Sequence, residues 1–180
     1  MLSSKNILII FIVVLTAFSM FYFNEEVFEG STYEEIIDQG MVERVIDGDT
    51  AEIRMDEGLK TVRFLGIDTP EVYQENNPEE YRGVTDEDCL ILWGEKATNY
   101  TKEQIEGEEI QLVYDTKRGR KGFYNRTLAY IEINGRDFTK ELIEEGYARV
   151  YDKSDFQRKI DYFEAEAEAY SERRGLWNCS

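Results

Sequence analysis

The chain has 180 residues, and its 21 basic against 38 acidic side chains give a net charge of −17. Such a charge repels phosphate backbones and excludes loose, purely electrostatic binding to nucleic acid. It leaves room for a polyanion gripped by a few local arginines and a metal ion. With no histidine, Ser-His-Asp hydrolysis, HExxH zinc sites and every histidine base are excluded. Two cysteines without histidine do not fill an ordinary zinc site.

The chain opens with Lys5, an uncharged run from Asn6 to Asn24, then Glu25 and Glu26. The apolar part, Ile7 to Phe23, is 17 residues long, the lower edge of a membrane span. Residues 1–24 are therefore expected to be a signal peptide or a membrane anchor. The basic flank stays inside, which sends the rest of the chain to the extracellular face. Outside the cell a Cys89–Cys179 disulfide becomes reasonable, with two separate thiols as the alternative. Residues 25–40 are acidic and weakly patterned and read as a linker.

From Met41 short alternating runs begin. "MVERVI" and "TAEIRM" flank Asp47-Gly48 and predict a hairpin. "LKTVRFLGI" follows the turn at 56–58 as a third strand. A long loop carries both prolines, Pro70 and Pro78. A helix is expected from Glu87 to Glu106, stopped by Gly107, with Leu90, Trp93, Ala97 and Ile105 facing the core. "EIQLVYD" and "RTLAYIEI" are the next strands, joined by the basic loop "TKRGRKGFYN". Asn134-Gly135 marks a turn, and "DFTKELIEEG" a short helix. The last helix is expected over 155–174, capped by Ser154. Phe156, Ile160, Phe163, Ala167 and Tyr170 form its apolar stripe, and "EAEAEA" at 164–169 its solvated surface. The order of elements predicts a small α+β barrel with helices packed on it.

Four local signals carry chemistry. Asp47-Gly48-Asp49-Thr50 places two carboxylates on one bend. It fails as an EF-hand, because the sixth position from Asp47 is Glu52 rather than Gly and the twelfth is Gly58 rather than Glu. Asp68-Thr69-Pro70-Glu71 ends an apolar strand. Pro70 biases Thr69 toward extended backbone, and two carboxylates with a carbonyl suit a hard cation such as calcium. Arg63 lies five residues before Asp68, so a regular strand would put the two on opposite faces, and a bend is needed for them to converge. "KRGRKGFYNR" carries Lys117, Arg118, Arg120, Lys121 and Arg126, a phosphate-attracting patch against an acidic background. Together these are the parts for metal-assisted phosphodiester hydrolysis without histidine. The metal offsets charge, the arginines hold the crowded phosphoryl oxygens, and Glu71 takes a proton from water.

In order and spacing, "VIDGDT", "VRFLGIDTPE", "YNRTLAYI" and "GLW" resemble the staphylococcal nuclease (thermonuclease) family, over about residues 41–178. The resemblance implies a five-stranded OB-fold barrel with three helices and calcium-dependent cleavage of DNA and RNA that leaves the phosphate on the 3′ side. It implies Asp49, Asp68 and the Thr69 carbonyl as calcium ligands, Glu71 as the group that activates water, and Arg63 and Arg126 as phosphate clamps. Asp47 becomes the residue that shapes the turn and aims Asp49. Tyr124 matches a tyrosine of the nucleotide pocket, with Tyr151 nearest to a second one. The implied protein is a monomer whose partner is its nucleic-acid substrate. Phe123 and Asn125 depart from the family pattern, where a lysine and a glycine stand, and the acidic insert from Tyr73 to Cys89 is expected to crowd the groove. Two other readings compete. One is an OB-fold binding or scaffold module without catalysis; the other is a glycosidase using Asp68 and Glu71, which leaves the arginines unexplained.

Overall fold

The computed structural model describes residues 36–122, 124 and 126–179. The hydrophobic run and residues 25–35 of the expected linker lie outside the described residues. No helix among the described residues is long and apolar enough to cross a membrane.

Five strands close a barrel: β1 (Ile36–Asp47), β2 (Thr50–Met55), β3 (Gly58–Phe64), β5 (Glu109–Tyr114) and β6 (Thr127–Ile133). The order is β3-β2-β1-β5-β6, and a parallel β3–β6 pairing completes the ring. Alternation fixes which face each strand turns inward. Along β2, Ala51 and Ile53 are buried while Arg54 is exposed. The strand β1 starts earlier than the sequence suggests. Ile36 to Gly40, expected as linker, pair with β5 from Tyr114 to Ile110. Backbone pairing to β5 supplies what the weak pattern of these residues does not show.

Two short strands, β4 (Ile67–Asp68) and β8 (Arg149–Val150), pair antiparallel beside the barrel, and β7 (Arg136–Asp137) forms a hairpin with β6. Three helices cover the barrel: α1 (Glu87–Ile105), α2 (Phe138–Glu144) and α3 (Lys159–Ser171). Helix α1 is capped by Asp86, whose side chain accepts the Cys89 N–H. It buries Leu90, Ala97 and Ile105 as expected, with Trp93 partly covered.

The last helix corrects the sequence in two ways. It starts at Lys159 after Arg158, with no side-chain cap from Ser154. Its buried face is Tyr162, Ala165, Glu166 and Ala169, not the expected stripe. Phe156 is buried ahead of the helix, but Ile160 is 73% exposed, Tyr170 45% and Phe163 37%. The alanines let the helix approach closely. Glu166 is buried because its carboxylate accepts the Val150 N–H at 2.8 Å and pairs with Arg82 at 2.5 Å. A buried carboxylate, held by a backbone donor and a half-exposed arginine from another segment, is indistinguishable in sequence from a solvated glutamate.

A second, smaller core packs Tyr81, Val84 and Leu90 against Ala169, Leu176 and Trp177. At its edge Cys89 and Cys179 are bonded, with Cα atoms 5.8 Å apart. Their separation of 90 residues makes the crosslink restrict a large part of the unfolded chain. Replacing both cysteines by serine is expected to cost about 2–4 kcal/mol of unfolding free energy. Urea titration of the variant beside the oxidised parent measures this, and equal midpoints would refute it.

Candidate active site

The β1–β2 turn is built around its first aspartate. Asp47 Oδ1 accepts the Asp49 N–H at 3.1 Å, a side-chain turn that directs the next residue inward. Helix α1 presses on this turn. A Cβ on Gly48 would sit 2.7 Å from Thr69 Cγ2 and 2.8 Å from Ala97 Cβ, and the Thr101 hydroxyl donates to the Gly48 carbonyl at 2.8 Å. Asp49 is fully buried as a result. Its Oδ2 accepts the Thr69 N–H at 3.0 Å, and its Oδ1 accepts the Thr50 hydroxyl. Burial pushes its carboxyl up to about 6, against the pull of Arg63.

Arg63 pairs in register with Thr50 across the hairpin. The chain then bends, as convergence with Asp68 requires. Gly66 takes φ +89°, and a Cβ there would lie 2.7 Å from the Phe156 ring, so glycine alone fits both the conformation and the space. After the bend β4 brings Asp68 back. One Arg63 guanidinium reaches both carboxylates, with Nη1 2.5 Å from Asp49 Oδ1 and Nη2 donating to Asp68 Oδ1. Arg63, expected as a phosphate clamp, thus spans the two groups expected to hold the ion. The second oxygen of Asp68 accepts from Arg149 Nη2 at 2.6 Å.

Glu71 stands beside this pair. Asn76, itself buried, accepts the Glu71 N–H at 2.8 Å and donates to its carbonyl at 2.9 Å. Asn76 in turn donates to Glu87 in the first turn of α1. Partial burial, with the charges of Asp49 and Asp68, raises the Glu71 carboxyl above its ordinary range, and Arg63 and Arg126 pull the other way.

A cavity of about 490 Å³ opens here, and Arg63, Glu71, Arg118, Tyr124, Arg126 and Tyr151 contribute to its walls. The buried Nε of Arg126 has no acceptor among the described residues, and its guanidinium carbon lies 5.9 Å from the Tyr124 ring centre. The rest of the basic loop turns elsewhere. Lys117 pairs with Asp155 at 2.7 Å, Arg120 lies 4.1 Å over Tyr114, and Lys121 bridges the Thr127 backbone. Of the four loop residues expected to bind substrate, Arg118 alone lines the cavity.

Oxygen atoms make up the side expected to hold an ion: the carboxylates of Asp49 and Asp68, with the Thr69 carbonyl next in chain. Their sharing of one guanidinium puts both carboxylates within reach of a single cationic centre. Hard oxygens of this kind fit calcium. Among the described residues no three acidic or cysteine side chains gather as a cation site, so an ion here would also take a carbonyl and water.

Residues 61–179 match the staphylococcal nuclease homologue family. The chain belongs to this family. Among its relatives, an uncharacterized protein of Methanocaldococcus jannaschii, MJ1439, is 39% identical over 150 residues, which is 78% of this chain and 72% of its own. The thermonuclease of Staphylococcus intermedius is 31% identical over 176 residues, 97% of this chain and 96% of its own. The SPbeta prophage-derived endonuclease YokF of Bacillus subtilis is 34% identical over 147 residues, 81% of this chain but 45% of that longer protein. The family match covers Arg63, Asp68, Glu71 and Arg126, while Asp49 lies ahead of it.

Sequence reasoning missed Arg149, Asn76 and Asp115. Arg149 and its partner Asp68 are 81 residues apart, and nothing in "YARVY" marks it. Asp115, 1% exposed, accepts the N–H groups of Lys117 and Arg118, each at 2.7 Å, and that of Gln157 at 2.6 Å. It also accepts the Tyr130 hydroxyl. It therefore ties the basic loop to the barrel.

Proposed function

We propose that this chain hydrolyses phosphodiester bonds of DNA, RNA or both, with calcium, as an exported nuclease that leaves the phosphate on the 3′ side. The observation that carries this reading is Arg126. In a chain of net charge −17, its buried Nε has no acceptor among the described residues, and it faces the same cavity as Glu71 and Arg63. A phosphate there would receive a planar pair of donors. Calcium, held by Asp49, Asp68 and the Thr69 carbonyl, would offset charge on the phosphate.

The residues then divide the work. Glu71 takes a proton from a water whose oxygen attacks phosphorus. Arg126 stabilises the charge that grows on the phosphoryl oxygens. The bond from phosphorus to the 5′ oxygen breaks, and that oxygen takes a proton from solvent. Tyr124 and Tyr151 offer flat apolar walls against which a base can stack. The relatives named thermonuclease and endonuclease agree with this reading. The hydrophobic N-terminal run supports export, with the enzyme either anchored by that run or released after its cleavage.

Digestion of single-stranded DNA, duplex DNA and RNA with calcium, then with EDTA, tests the proposal. Cleavage is expected to stop with the chelator and to return on adding excess calcium. Undiminished cleavage in EDTA would overturn the calcium requirement, and no cleavage of any substrate the activity itself. Intact mass of the mature protein, with membrane and medium fractions compared, tests export and anchoring.

A further inference from the structure

Arg149 is 3% exposed and sits between the metal-binding side and the acidic insert. Its Nη2 donates to Asp68 Oδ2 at 2.6 Å and to Glu80 Oε2 at 2.8 Å. Its guanidinium carbon lies 5.2 Å from the centre of the buried Tyr81 ring, and Nη1 donates to the Val150 carbonyl. Glu80 and Tyr81 belong to the insert, in the 3-10 turn Pro78–Tyr81. That turn is anchored on its far side. Tyr81 and Val84 pack into the second core, Arg82 pairs with Glu166, and the disulfide follows at Cys89. Gln74 is the one insert residue that lines the cavity. The insert, expected to crowd the groove, reaches it through Gln74 and also grips Arg149.

The two oxygens of Asp68 therefore have separate tasks. Oδ2 is taken by Arg149, and Oδ1 faces the side shared with Asp49. Two carboxylates aimed at one point repel each other, and a side chain free to rotate would turn away. We propose that Arg149 is a positioning residue, fixed by Glu80 and Tyr81 of the insert, that locks Asp68 with one oxygen presented to the cation. This rests on the reading of Asp49 and Asp68 as calcium ligands. Hydrogen bonds to the outer oxygen of a ligating carboxylate set its orientation, and their loss typically weakens metal binding.

A purely electrostatic role predicts the opposite sign. Removing a cation next to a calcium site would tighten the ion, whereas removing Glu80, a nearby anion, would loosen it. Positioning predicts loosening in both cases. The test is calorimetric titration of the full chain with calcium alone, well below its melting temperature, with circular dichroism to report the fold. Arg149→Met is expected to weaken calcium binding about 10- to 100-fold. Glu80→Ala is expected to weaken it too, as either role predicts. Tyr81→Leu, which takes the ring from beside Arg149 and removes no charge, is expected to weaken it only if Arg149 positions Asp68, and it decides the matter if Arg149→Met does not fold. Asp68→Asn separates the two levels of the argument. If it abolishes calcium binding while Arg149→Met binds as tightly as the parent or tighter, the positioning role is wrong and the ligand assignment survives. If Asp68→Asn leaves calcium binding unchanged, the ligand assignment fails and the positioning role fails with it. A shift of melting temperature in Arg149→Met or Glu80→Ala, with calcium affinity unaltered, means that Arg149 only packs, and overturns the inference.

Discussion

Glu71→Gln is expected to lower turnover about 10²- to 10⁴-fold, the usual loss when a positioned general base is removed. The amide keeps the size of the carboxylate but accepts no proton. The side chain is exposed, and Asn76 holds the backbone of residue 71 rather than its carboxylate. The fold should therefore survive unchanged. Initial rates on a fluorescent oligonucleotide, with calcium saturating, measure the loss, and the melting curve shows that the protein is intact. The raised carboxyl of Glu71 suits the proposed role, since a base with an affinity for protons nearer neutrality takes one more readily. Turnover within threefold of the parent would remove Glu71 from the mechanism and leave the water to another group.

Asp115→Ala has the largest expected effect on stability, about 3 kcal/mol or more, because four donors lose their acceptor in a buried place. They are the N–H groups of Lys117, Arg118 and Gln157 and the hydroxyl of Tyr130. Asp115→Asn is expected to recover part of the loss, since one oxygen still accepts while the new amide faces donors. Urea unfolding followed by tryptophan fluorescence gives both values. The variant should also bind oligonucleotide less tightly than the parent when both are fully folded, because the turn that presents Arg118 is no longer pinned. A destabilisation below about 1 kcal/mol would show that water replaces the carboxylate at little cost.

The barrel was legible because strand burial writes itself into neighbouring positions. "TAEIRM" alternates, and the structure buries Ala51 and Ile53 on one side. The bend between Arg63 and Asp68 was legible too, since odd spacing left no other way for the two to meet, and Gly66 provides it. The last helix was not. Its large apolar side chains make a regular stripe, yet the alanines and Glu166 face inward. Close approach and an ion pair reached from another segment decided that face, and neither has a local signature. The same holds at the site. Asp49, Asp68, Glu71 and Arg126 sit in short recognisable runs. Arg149 is paired with Glu80, 69 residues away in sequence, and Asp115 with groups from three stretches of chain. A partner that distant leaves no periodicity to detect. The doubly paired state of Arg63 was equally hidden, because composition does not tell which of several neighbouring anions an arginine will choose.

The parallel seam between β3 and β6 has one more consequence. It sets Arg63 opposite Leu128, two positions beyond Arg126, so two guanidinium-bearing segments from distant parts of the chain are registered by main-chain hydrogen bonds. If Arg63 and Arg126 hold the phosphate as proposed, neither half of the polypeptide owns a complete grip on its substrate. A fragment that stops before residue 126 is then expected to be inert however well it collapses, and thermal loss of enzymatic competence should coincide with the opening of the ring in one transition.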